Sequence, residues 1–167
     1  YDFSRISEKS EFTQNRKSIF FLVFKRHGAV VSDTQFFSEL TQSINEYCNN
    51  ANLHLQIKYV SEQDNYEQLI RELQFNNCKG IILLGTEISQ TELTHFVNSR
   101  IPLVVLDTYY NSIPCNYVKI NNHQGVQQAT TELIRKFENH IGYLSSSFSI
   151  VNYEERSNSF YHTVKSH

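Results

Sequence analysis

Residues 101–160 read IPLVVLDTYYNSIPCNYVKINNHQGVQQATTELIRKFENHIGYLSSSFSIVNYEERSNSF. An apolar run from Pro102 ends in an acid at Asp107. A second short strand is expected over Tyr117 to Ile120. Asn121-Asn122-His123-Gln124-Gly125 then opens a helix with apolar periodicity. A third strand is expected from His140 to Ser145, followed by a polar loop and a charged helix start that carries Arg156. Strand, acid, turn, helix, strand is the layout of an α/β sheet whose ligands sit at the carboxyl ends of the strands.

The residues before this stretch extend the same pattern. Ser18–Phe24 (SIFFLVF) is nearly all apolar, as a strand buried on both faces of a parallel sheet must be. The polar loop Lys25 to Thr34 follows, with Ser32 or Asp33 able to cap the next helix. That helix is predicted from about Thr34 to Asn49, with Phe36, Phe37, Leu40, Ile44 and Tyr47 on one face. Leu53–Val60 alternates like a strand near the sheet edge. Ser61 or Asp64 is expected to start the next helix, with Tyr66, Leu69, Ile70 and Leu73 inward. Lys79–Gly85 (KGIILLG) is a third buried strand, and Gly85 at its end would let backbone approach a ligand closely. A short helix with Leu93, Phe96 and Val97 inward leads to Pro102. The order β-α-β-α-β-α-β predicts a Rossmann-like α/β fold: a parallel sheet with helices on both faces.

The totals bound the function. The chain has 167 residues and a formal net charge of −2, with no basic run. It therefore has no electrostatic footprint for a nucleic-acid backbone of its own. No apolar run approaches a membrane span, and the polar N-terminus resembles no signal peptide, so a cytoplasmic setting is expected. The three cysteines form no CxxC pair, and the seven histidines are scattered. Neither a zinc site nor a disulfide framework is suggested. No GxSxG elbow, Walker loop or HExxH motif is present, so no enzymatic chemistry and no cofactor is expected.

Five features in order resemble the LacI/GalR family of bacterial transcription regulators. The first is a buried strand, a polar loop and an aromatic pair, Phe36-Phe37, opening a helix. The second is KGIILLG, and the third is IPLVVLD with its terminal Asp107. The fourth is a VxxDNxxG-like turn over Val118 to Gly125, with Ala129 and Leu133-Ile134 following. The fifth is the strand Ile141-Gly142-Tyr143-Leu144, then a loop, then an ExRxxGF-like Glu154 to Phe160. The sequence departs from the pattern at Asn121 (Asp in the family), at Ser159 (Gly) and at Phe137-Glu138 (Gly-His).

The resemblance implies a periplasmic-binding-protein-like effector domain of type I. Residues 1–17 would be a hinge remnant or linker arm, 18–139 the N-terminal lobe and 140–167 the start of the C-terminal lobe. It further implies a small effector, a sugar or sugar derivative, held between two lobes. By position the contacts would be Phe36, Phe37, Asp107, Asn122, Asn152 and Arg156. A guanidinium such as that of Arg156 can fork to hydroxyls, a carboxylate or a phosphate. Blander roles stand beside these. One of Phe36 and Phe37 would be core, Asp107 a loop cap, Asn122 a helix cap, and Arg156 half of an ion pair with Glu154 or Glu155. The Lys25-Arg26-His27 run is either solvated or an anion contact. The implied partners are a second copy of the chain and operator DNA, reached through a helix-turn-helix domain outside this sequence. The alternatives are a solute-binding protein of a sugar transporter and a nucleotide- or flavin-using enzyme on a similar sheet.

Overall fold

A computed structural model describes residues 17–27, 35–137 and 140–167. The proposed linker arm, the caps Ser32 and Asp33, and Glu138 lie outside the described residues.

Five parallel strands form one sheet in the order β2-β1-β3-β4-β5. They are β1 (Ser18–Lys25), β2 (His54–Ser61), β3 (Cys78–Leu84), β4 (Leu103–Leu106) and β5 (Asn116–Val118). The helices are α1 (Gln35–Asn50), α2 (Tyr66–Phe75), α3 (Gln90–Asn98), α4 (Asn122–Phe137) and α5 (Val151–Lys165). Strand β1 lies between β2 and β3, in register from Ile19 opposite Leu55 and Gly80. Its side chains alternate between faces, and both faces are covered, so Phe20 to Phe24 are all buried. On one face Phe20, Leu22 and Phe24 join Leu69 and Leu73 of α2 and Leu93 and Phe96 of α3. On the other, Phe21, Val23 and Leu84 meet Phe37, Leu40 and Ile44 of α1. This is the expected α/β sheet with helices on both faces.

Local chemistry sets the helix ends. Asn65 caps α2, its side chain accepting the Gln68 N–H, so neither Ser61 nor Asp64 is the cap. Asp64 instead accepts the Ser61 N–H at 2.6 Å, closing the turn before the helix. Ser89 and Glu92 form a reciprocal capping box at α3. Asn52, Asn77 and Arg100 take φ near +55 to +60° just past α1, α2 and α3. That is the left-handed step with which helices commonly terminate.

Two expectations need correction. The inner face of α1 carries Phe37, Leu40, Ile44 and Cys48, whereas Phe36 is 49 % and Tyr47 74 % exposed. The helix is rotated so that a small thiol, rather than a phenol, enters the core. Residues 140–145 form no strand. No described strand lies beside them to complete a ladder, and an apolar run without a partner cannot satisfy its backbone as sheet.

Candidate functional site

The chain leaves β1 for β2 on one side and returns to β3 on the other, so the order of the sheet reverses between β1 and β3. Loops diverge at such a switch point and open a crevice beyond the carboxyl ends of the strands. Here a crevice of about 430 Å³ opens there. Arg26 and His27 after β1, Thr86 and Glu87 after β3, and Phe148 and Glu154 from the last segment are among the residues that line it.

Glu87 organises the floor. Its side chain is buried, and Oε2 accepts the backbone N–H groups of Arg26 and of His27, the latter at 2.7 Å. The Arg26 guanidinium lies between Glu62, at 3.3 Å, and Glu92. His27 stacks on Phe148 with ring centroids 4.6 Å apart and planes at 22°. Tyr110 donates its hydroxyl to the Ile88 carbonyl at 2.7 Å on the crevice wall. Burial first of all pushes its phenol above the ordinary range, so it stays a hydrogen-bond donor at neutral pH. Glu154 accepts from the Ser149 hydroxyl at 2.7 Å.

A polar network lies alongside, at the ends of β4 and β5. Asp107 is buried and takes φ +64°, and its carboxylate accepts from Thr86 Oγ1 at 2.7 Å. Its carbonyl accepts from Asn152 Nδ2 at 3.0 Å. Asn122 Nδ2 donates to Asn152 Oδ1 at 2.8 Å and to Glu155 Oε2 at 2.9 Å. Asn122 Oδ1 accepts from Arg156 Nε at 2.7 Å. Glu155 is also paired with Lys119. Burial opposes its ionisation, but hydrogen bonds from Lys119 and Asn122 outweigh that and hold its carboxyl below the ordinary glutamate range.

Four of the six sequence candidates thus converge: Asp107, Asn122, Asn152 and Arg156 are joined in one chain of hydrogen bonds. Phe36 and Phe37 stand apart. Phe37 packs into the sheet face under α1, and Phe36 meets it edge-on at 5.1 Å while half exposed. Asn122 is the hub of the network rather than the helix cap. That role falls to Asn121, whose Oδ1 accepts the Gln124 N–H at 3.0 Å. An amide at this turn therefore still makes the capping bond. The contacts of Arg156 are with Asn122 and with the Tyr153 ring, and Glu155 pairs with Lys119 instead.

Gly85 has a packing role. A Cβ there would lie 2.9 Å from Ile88 Cγ2, 3.1 Å from Thr108 Cγ2 and 3.2 Å from Val105 Cγ1. The sequence reading missed Glu87, Thr86 and Phe148. Glu87 looks like an ordinary polar loop residue, and its place just past a strand beside the switch point was the one available signal. Cys48 is buried and Cys78 and Cys115 are half-buried, and all three are free thiols. Among the described residues no cluster of His, Cys, Asp and Glu could hold a metal ion, and no helix is long and apolar enough to cross a membrane.

No family profile and no curated protein matches the chain. Solved structures do. A transcription-regulator-like protein from Staphylococcus haemolyticus superposes with TM-score 0.76 at 19% identity, over 89% of this chain and 56% of its own. The Escherichia coli transcriptional repressor ascG gives 0.70 at 19% identity, over 90% and 54%. The fold is that of the LacI-family effector-binding domain. A LacI-family regulator, CCPA from Weissella paramesenteroides, solved with bound glucose, shares it at TM-score 0.66 and 17% identity, over 90% and 54%. The chain spans about half the length of these LacI-type structures.

Proposed function

We propose that this chain is part of the ligand-sensing and dimerising region of a LacI-type DNA-binding transcription regulator. In this reading residues 18–139 form the first lobe, and residues 140–167 begin a second. A small effector, a sugar or sugar derivative, binds between them, and its preference for one lobe arrangement changes how two DNA-binding heads are held. The region acts as a cytoplasmic homodimer, reaches operator DNA through a helix-turn-helix domain outside this sequence, and performs no catalysis.

The observation that carries this reading is the crevice at the switch point, walled on one side by strand-end loops and on the other by the segment from Ser147 to Glu154. A ligand there touches both sides at once, which is what a sensor of lobe orientation requires. Asp107, Asn122, Asn152 and Arg156 border it as the groups through which a bound ligand is felt by α5. Phe36 and Phe37 serve as packing and surface groups of α1.

The test is a thermal-shift screen of the full-length protein against free sugars, sugar phosphates, sugar acids and purines. A dose-dependent rise with one class, weakened in Arg156→Ala and Asp107→Ala, supports the reading. Operator affinity that no panel member alters would overturn it.

A further inference from the structure

The charge around the crevice narrows the ligand class, on the reading that this crevice is the effector site. Two successive backbone N–H groups, those of Arg26 and His27, point to one spot at the end of β1. Such a pair forms a concavity suited to an anion. The Glu87 carboxylate already fills it, buried and held by both groups.

The one guanidinium nearby offers no substitute. Arg26 is engaged by Glu92 and Glu62, so its charge is offset before any ligand arrives. Lys25 turns the other way and lies 4.5 Å over the Tyr59 ring, on a different concavity. The opposite wall adds Glu154, whose exposed carboxylate also lines the crevice. One guanidinium therefore stands against the carboxylates of Glu62, Glu87, Glu92 and Glu154. A phosphate or carboxylate entering here would meet like charge with no free donor to offset it, and like-charge juxtaposition costs several kcal/mol. Hydroxyl and amine groups, by contrast, find acceptors in Glu87 and Glu154, while the stacked His27–Phe148 pair gives one apolar wall.

We infer that the crevice takes a donor-rich ligand without negative charge, a neutral polyol or amino-polyol, and rejects the phosphorylated and carboxylated forms of the same molecule.

The experiment is titration calorimetry of the full-length protein with hexoses supplied as matched sets: the free sugar, the amino sugar, the 6-phosphate and the uronic acid. The expected result is binding of a neutral or amino form, with the phosphate and the acid at least about tenfold weaker. In Glu154→Gln, and in Glu87→Gln if it folds, that ratio should narrow. Equal or tighter binding of the phosphate or acid would overturn the charge inference while leaving the sensing role intact. Silence from every member of every set would remove the sugar-sensing reading and this inference with it. An unchanged ratio in Glu154→Gln, with the phosphate still excluded, would show that the exclusion does not come from these carboxylates.

Discussion

Arg156 and Asn122, 34 positions apart in sequence, meet through a 2.7 Å hydrogen bond from the guanidinium Nε to the amide Oδ1. The other end of that amide is committed to Asn152 and Glu155. Every polar atom of the Asn122 side chain is therefore occupied, in a position that is 4 % exposed. Removing it leaves Asn152 and Arg156 with buried, unanswered groups, which costs about 1–3 kcal/mol. Asn122→Ala should lower the urea midpoint by that much. The double variant Asn122→Ala/Arg156→Ala should lose less than the sum of the two single changes. Strict additivity would mean that the bond contributes nothing to the docking of α5 on α4.

Ser159 stands where the LacI-type pattern has glycine. It is 1 % exposed, and its hydroxyl donates to the His123 carbonyl at 2.9 Å across the α4–α5 contact. The departure is thus accommodated by size and used by hydrogen bonding. Ser159→Ala keeps the close approach and loses the bond, at about 1 kcal/mol. Ser159→Leu forces the helices apart and should cost about 1–3 kcal/mol or more. Chemical denaturation of both variants gives the comparison, and a leucine no worse than the alanine would contradict the close packing.

At Gly85 the neighbours of an added methyl belong to Ile88, Thr108 and Val105, all packed where β3 and β4 end. At 2.9 Å the nearest must shift, and a buried side chain in a filled core has little room. Gly85→Ala should therefore destabilise by about 1–3 kcal/mol and disturb the Thr86–Asp107 bond beside it. The thermal midpoint measures the first effect. An unchanged midpoint would place the glycine's role elsewhere.

The sheet was legible because its strands are written locally. SIFFLVF and KGIILL can only be strands buried on two faces, and the helical lengths between them force parallel crossovers. The rotation of α1 was not legible. Phe36, Phe37, Tyr47 and Cys48 all suit an apolar stripe, and only packing against Phe21 and Val23 selects Phe37 and Cys48. The expected strand at residues 140–145 failed for a related reason. Its apolar residues state a propensity, but sheet needs a neighbour, and propensity names none. At the site, single polar residues could be nominated by position. Their bonding to one another, across 30 residues and more, could not. Glu87 was invisible because nothing local distinguishes a carboxylate that reaches back to the backbone of Arg26 from one that points to water.

Glu155 supplies a pH test of the α4–α5 contact. It is paired with Lys119 and bonded by Asn122, and the folded carboxyl ionises below its ordinary range. A depressed folded value means that the charged form is favoured by folding. The stabilisation is therefore complete above the unfolded glutamate value of about 4.3. It is lost as pH falls from there through the folded value. Other carboxylates, such as Glu72 with Lys58, shift the same way, so the wild-type profile alone cannot isolate this pair. Glu155→Gln removes one titration and leaves the rest. The gap in urea midpoint between wild type and Glu155→Gln should be constant from pH 7 to about pH 5. It should then close as the medium is taken toward pH 3. A gap that persists undiminished at the acid end would mean that the cost of the substitution is one of shape, and that the charge of Glu155 does not hold α5 in place.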